Sequence, residues 1–195
     1  MTPEFGATAW GRAWLRLAEP TAVGTIDTRL PKARALARRG QVDGLATGPG
    51  RVSAVVRVRD AEHPVRLGFA PWPAATRDRI TAFLRDDASA RRALSAGDAP
   101  DALAAAVADV APGPDDLDPG CPCRERRRPC LHQLAVLYAL VQRIDEAPAL
   151  ALELRGWQPP AGPAGDGDER PAGRIPLTAV DPASFYAWRA APADG

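Results

Sequence analysis

All three cysteines of the chain and one of its two histidines fall within twelve residues. They are Cys121, Cys123, Cys130 and His132, in the pattern C-x-C-x6-C-x-H. Zn²⁺ in structural sites takes four ligands in a tetrahedron and favours thiolate sulfur and imidazole nitrogen. A disulfide framework would scatter its cysteines and pair them, which an odd, clustered set does not do. The pattern therefore predicts a zinc site with these four side chains as ligands.

The local sequence indicates how the four ligands converge. An extended backbone over 121–123 would place both sulfurs on one face, because side chains alternate along a strand. The six residues before Cys130 allow the chain to reverse, and His132 falls at the start of a predicted helix. Three thiolates, a neutral imidazole and Zn²⁺ leave a charge of about −1. Four arginines of the intervening loop would offset that charge and stand in solvent: Arg124, Arg126, Arg127 and Arg128.

The segments around this motif predict an α+β fold, with a small antiparallel sheet and several helices. Apolar and polar residues alternate along three predicted strands, so that one face of the sheet is solvated. These strands lie near 42–47, 51–59 and 63–69. Helical periodicity marks the remaining segments: 5–19, 29–39 ending at Gly40, a helix after Trp72-Pro73 that is marked by Ile80, Phe83 and Leu84 and ends near Asp87, a short continuation at Leu94, 101–110, a strong helix from Leu131, and about 147–155.

The chain divides by composition into a body, a linker and a tail. The predicted body covers 1–157 and contains a zinc-stabilised finger, about 119–146, that leads into the helix after Leu131. Proline, glycine and charged residues predict a flexible linker over 158–173. The tail, 174–195, carries an apolar and aromatic cluster that we expect to dock on the body or on a partner.

The overall charge does not direct the chain towards a particular partner. The formal net charge is +1 over 195 residues, so any electrostatic steering must come from local patches. No charged leader precedes an apolar run, and the longest apolar stretch, in the helix after Leu131, is too short to span a bilayer. We therefore predict a soluble, cytoplasmic protein that makes no membrane contact.

The motifs of common enzymes are missing from the sequence. Four protein ligands would leave zinc no open position for a catalytic water. The sequence contains no P-loop, no dinucleotide-binding fingerprint and no nucleophile elbow. The second histidine, His63, precedes Pro64 in a predicted strand or turn, where a surface or partly packed role is expected. We predict a non-catalytic protein without a small-molecule substrate, and an enzyme of unrecognised type is the less favoured alternative.

The metal motif, followed by an apolar helix, resembles the signature of the SWIM zinc-finger family. Weaker similarity to bacterial SWIM proteins of actinomycete type extends over most of the chain. It includes AWGRAW, ARALARRGQVDGL, GPGRVSAVVRV and DPASFYAW. The resemblance implies Cys121, Cys123, Cys130 and His132 as the zinc ligands. It also implies DNA binding or protein–protein contact, the latter with a Swi/Snf-class helicase-like ATPase.

Two binding hypotheses follow. In the first, the protein binds DNA through local arginine patches on a helix and on the finger: Arg34, Arg38, Arg39, Arg124, Arg126, Arg127 and Arg128. In the second, the protein is an adaptor for a helicase-like ATPase, with the tail aromatics and the aspartate-rich segment 98–118 as contact surfaces. The sequence does not decide between them.

Overall fold

The computed structural model describes residues 5–20 and 27–159, and everything below refers to these residues. They form a mixed structure of helices and one four-stranded antiparallel sheet, so the predicted α+β class is confirmed. The predicted tail and all but the first two residues of the predicted linker lie outside the described residues. The division of the chain into body, linker and tail therefore stays a prediction.

The sheet is a simple meander with strands in the order β1-β2-β3-β4. The strands are β1 (Val42–Gly48), β2 (Arg51–Val58), β3 (Ala61–Phe69) and β4 (Leu117–Gly120). Strands β1 to β3 match the three predicted ones. Their alternation is also confirmed, because Val52, Ala54 and Val56 of β2 are buried while Arg51 and Arg57 are exposed.

Strand β4 was not predicted from the sequence. It has four residues, contains Pro119 and pairs only with β3, so it lies at an edge of the sheet. Proline cannot donate a ladder hydrogen bond, so within sheets it is found in edge strands, where one side of the backbone has no partner strand. In the sequence alone, the same residue predicts the end of a strand. The strand ends at Gly120, directly before Cys121.

The described residues also form seven α-helices. They are α1 (Ala9–Leu15), α2 (Leu30–Arg38), α3 (Ala74–Asp86), α4 (Ala88–Ser95), α5 (Asp101–Ala106), α6 (Leu131–Glu146) and α7 (Leu150–Leu154). Helix α2 ends before Gly40, as predicted, and this glycine has a φ of +65°. Helices α1, α5 and α7 are shorter than predicted. Helix α1 starts only after Thr8, whose side chain caps it, and α5 gives way to a 3₁₀ turn at Ala108–Val110.

Helix α6 is the centre of the core. The predicted stripe of Leu134, Leu137, Val141 and Ile144 is buried, and so are most of the other residues between Gln133 and Ile144. The helix packs against α1, α2 and the inner face of the sheet. The backbone of its N-terminal turn is therefore held in place by the packing of the helix on the body. Among the described residues, none of the helices has the length and apolar character needed to cross a membrane.

Candidate metal centre

The four predicted ligands lie together at the N-terminal end of α6. One ligand atom from each of Cys121, Cys123, Cys130 and His132 lies within 4.8 Å of all the others. Cys121 Sγ and His132 Nδ1 are 3.9 Å apart. In a tetrahedron with the usual zinc bond lengths, ligand atoms are about 3.6 to 3.8 Å apart. The cluster can therefore hold a metal ion once its longest ligand–ligand separations contract by up to about 1 Å.

Two rigid elements and one loop bring the ligands together. Cys121 follows β4, and Cys130 is the N-cap residue of α6. His132 lies in the first turn of that helix, so its position relative to Cys130 is set by helix geometry. The loop between these elements carries Cys123. Cys130 is fully buried and the other three ligands are half-buried, which leaves the centre at the edge of the core.

Gln133 makes a reciprocal cap with Cys130. The Cys130 backbone N–H donates to Gln133 Oε1 at 2.7 Å, and the Gln133 backbone N–H points at the Cys130 side chain. Burial raises the pKa of the Cys130 thiol, and the hydrogen bond from the Gln133 backbone N–H opposes the shift. Hydrogen bonds of this kind stabilise the thiolate, which is the form that binds metal.

Arg128 lies against the other two cysteines. Its Nη1 is 3.6 Å from Cys123 Sγ, and its Nη2 donates to the Cys121 carbonyl at 3.2 Å. Burial acts to raise the pKa of Cys123, but hydrogen bonds from the Glu125 backbone, Cys130 and Arg128 outweigh it and lower the pKa. Burial raises the pKa of Cys121 to about 12. Of the three thiols, Cys123 is the one whose pKa is lowered.

An ion-pair network braces the loop between Cys123 and Cys130. Arg29 Nη1 donates to Glu125 Oε1 at 2.8 Å and to the Pro129 carbonyl at 2.7 Å. The second carboxylate oxygen of Glu125 accepts from the Leu131 N–H at 2.9 Å, which satisfies a free donor of the first turn of α6. Asp27 holds Arg29 from the other side through a 2.6 Å contact. Sequence reasoning missed Arg29 and Glu125, because their partners lie far along the chain.

The structure also places the second histidine beside the ligand cluster. The His63 and His132 rings are stacked, with centroids 3.7 Å apart and an angle of 14° between the planes. His63 is half-buried on the inner face of β3, which agrees with the expected partly packed role. The sequence alone could not predict that His63 lies beside His132.

The seven arginines of the predicted DNA patch differ in their surroundings. Arg34 donates to Glu19 and to Tyr138 Oη, so its charge is already paired. Arg127 lies 3.7 Å from Asp27, and Arg128 contacts the cysteines as described. The other four are exposed and make no ion pair with a residue that the structure describes: Arg38, Arg39, Arg124 and Arg126.

Comparison with known proteins yields one distant relative. The chain is 28% identical over 155 residues to the uncharacterized protein Rv2102 of Mycobacterium tuberculosis. The match covers 76% of this chain and 55% of the relative, so the chain spans about half the relative's length. No family model matches the chain. No solved structure matches it either.

Proposed function

We propose that this chain is a non-catalytic, zinc-binding module of SWIM type that binds DNA through its exposed arginines. The observation that carries the zinc proposal is the convergence of four ligand atoms to within 4.8 Å of one another. Three thiols and one imidazole are the donor set that a structural zinc site uses. Thiolates select soft or borderline metals such as Zn²⁺, whereas hard cations such as Mg²⁺ prefer carboxylate and carbonyl oxygens.

The surroundings of the cluster support a structural role for the metal. Four protein ligands complete a tetrahedron and leave no position for a reacting water. The ligands join an edge strand, a loop and the central helix, so a bound ion would cross-link three parts of the fold. When bound, Zn²⁺ would stabilise this corner of the structure without taking part in turnover.

The exposed arginines support the DNA proposal. Arg124 and Arg126 project from the loop between the cysteine pairs, and Arg38 and Arg39 lie at the C-terminal end of α2. Arg29 links the start of α2 to the same loop. Exposed cations bind phosphate and carry little base information, so the expected binding is electrostatic and weakly sequence-selective.

A specific feature favours the adaptor as the second candidate. A groove of about 720 Å³ runs beside the finger. Its apolar lining includes Leu17, Leu30, Leu117 and Leu134, and Arg127 and Arg128 border it. Glu19 and Asp27 also line the groove, so its chemistry fits a peptide of a partner protein, such as a helicase-like ATPase, that presents an apolar side chain flanked by charged ones.

Elemental analysis and a binding titration test the proposal. Freshly purified protein should contain one zinc per chain, and content well below one equivalent would contradict the zinc proposal. Duplex DNA should bind with an affinity that falls steeply with salt. Stoichiometric zinc without any salt-sensitive DNA binding would leave the adaptor as the preferred function.

A further inference from the structure

We infer that His63 is a positioning residue for the metal ligand His132, acting through the face of its ring. The inference rests on the proposed zinc site, because it concerns the orientation of one of the four ligands. His63 belongs to β3, whereas His132 belongs to α6, and the two residues are 69 positions apart in the chain. His63 therefore reaches the metal centre only through the packing of the sheet on the helix.

The rings of His63 and His132 are stacked face to face. A centroid distance of 3.7 Å and an interplanar angle of 14° describe a close parallel stack. His132 Nδ1, 3.9 Å from Cys121 Sγ, is the nitrogen that faces the cysteines. A metal bound by Nδ1 would lie near the plane of the His132 ring. His63 therefore covers one face of this ring without standing between its nitrogen and the metal.

The strand register explains why His63 occupies this position. His63 pairs with Val56 of β2 and shares the inner face of β3 with Val65 and Leu67, which are buried. Arg66 pairs with Gly120 of β4, so continuing the register by one residue would bring Cys121 next to Val65. The same face of β3 thus leads to the first cysteine and supports the ring of the histidine ligand.

The expected consequence is preorganisation. An unrestrained histidine on the first turn of a helix can turn its ring about χ2, whose energy profile is broad. The stacked ring of His63 prevents this rotation, so less conformational freedom is lost when the metal binds. Outer-shell partners of metal ligands typically change metal affinity by about 10- to 100-fold when they are removed. Because the support comes from a ring face, a different flat ring should replace it.

The test compares three variants of the full chain. Zn²⁺ affinity is measured by competition with a chromophoric chelator, and Co²⁺ spectra report the geometry of the site. His63→Ala should weaken Zn²⁺ binding by about tenfold, while His63→Phe should stay within about threefold of the unsubstituted protein. Arg66→Ala is the control, because it lies on the same strand but on the exposed face. Thermal unfolding of the metal-free proteins shows whether any variant has lost its fold.

The outcomes separate this inference from the zinc proposal. Equal affinity for His63→Ala and the unsubstituted protein would overturn the positioning role. Equal loss in His63→Ala and a folded His63→Phe would also overturn it, since a nitrogen of His63 would then be the active group. Failure of the unsubstituted chain to bind Zn²⁺ would instead overturn the proposed function, and the inference with it.

Discussion

Arg29 Nη1 donates to Glu125 Oε1 at 2.8 Å and thereby joins the N-cap residue of α2 to the loop between Cys123 and Cys130. The side chains of both residues are largely shielded, with exposed fractions of 17% and 30%. Solvent therefore screens this pair less than a typical surface ion pair. Because Glu125 also caps α6 at Leu131, the pair holds both the metal loop and the helix end at which Cys130 and His132 lie.

Replacing Arg29 should loosen the metal loop. Arg29→Ala leaves Glu125 and Asp27 without their shared cation, and we expect a loss of about 2 kcal/mol in the free energy of unfolding. Zinc should also transfer to a chelator more quickly. Arg57→Ala is the matched control, because its pairs with Asp43 and Glu62 are exposed and screened by solvent, and it should cost clearly less stability. Denaturant titration and chelator kinetics measure both effects. Similar losses in the two variants would contradict the bracing role.

The stability of the metal-free protein should fall in acid as Asp27 is protonated. A hydrogen bond from Arg29 is the main cause that lowers the pKa of Asp27 from 3.8 to about 2. A carboxyl whose pKa is lower in the folded state stabilises that state above pH 4, and this stability is lost as the pH falls towards 2. Asp27→Asn should flatten the fall in unfolding free energy over this range, by on the order of 1 kcal/mol after allowance for solvent screening.

Urea titrations from pH 5 to pH 2 in the presence of a chelator would measure this effect. The chelator keeps the acid-driven release of zinc out of the result, and protonation of the free ligands is common to both proteins. Asp60→Asn is the control, because Asp60 is exposed and makes no ion pair with any residue described here. The prediction would be contradicted if the unfolding free energy of Asp27→Asn fell as steeply with decreasing pH as that of the unsubstituted protein.

Removing the metal should melt the finger locally and leave the core folded. Structural zinc contributes on the order of 10 kcal/mol in small fingers, but here α6 is held by its own buried face. Chelation, Cys123→Ser or His132→Ala should therefore abolish hydrogen-exchange protection over 119–133 and preserve it over 137–144. Gln142→Ala, on the same helix but away from the cluster, should keep both the metal and the protection. Loss of protection throughout α6 would show that the fold as a whole depends on the metal.

The finger arginines should set the salt dependence of DNA binding. Each phosphate contact steepens the log–log salt slope on duplex DNA by about 0.9. Arg124→Ala combined with Arg126→Ala should therefore flatten the slope by about 2 units if both contact phosphate. Arg128 is left intact because it touches Cys123, and its loss would disturb the metal centre. Fluorescence anisotropy between about 50 and 200 mM salt measures the slope.

A charge-matched control completes the DNA test. Arg57→Ala combined with Arg79→Ala removes the same net charge from two exposed arginines that are paired with acids elsewhere. Its slope should equal that of the unsubstituted protein. If the finger variant behaves like this control and retains zinc, the loop does not contact DNA, and the adaptor hypothesis becomes the stronger one.

Docking of α1 should depend on the small size of Gly11. Asp145 of α6 accepts hydrogen bonds from Gly6 N, Thr8 N and Thr8 Oγ1. A Cβ at Gly11 would collide with this carboxylate, so Gly11→Ala should destabilise the fold by about 2 kcal/mol despite the better helix propensity of alanine. Gly113→Ala is the control, since its Cβ would meet Asp116 at an ordinary 3.9 Å. Equal unfolding midpoints for the two variants would contradict this account.

The sequence by itself determined the features that depend on nearby residues. The four candidate ligands lie within twelve positions, so their spacing and types were enough to group them. The apolar stripe of α6, the alternation of β1 to β3 and the stop at Gly40 are likewise local patterns, because backbone geometry sets their periods. These patterns show which face of an element is buried.

Only the tertiary structure decided what each buried face meets. Arg29 and Glu125 are 96 positions apart, and His63 and His132 come together from a strand and a helix whose periodicities are unrelated. Strand β4 forms because the backbone of β3 is available for pairing on that side, although the residues of β4 favour a turn. Such contacts depend on how the elements pack together, and no local propensity encodes their pairing.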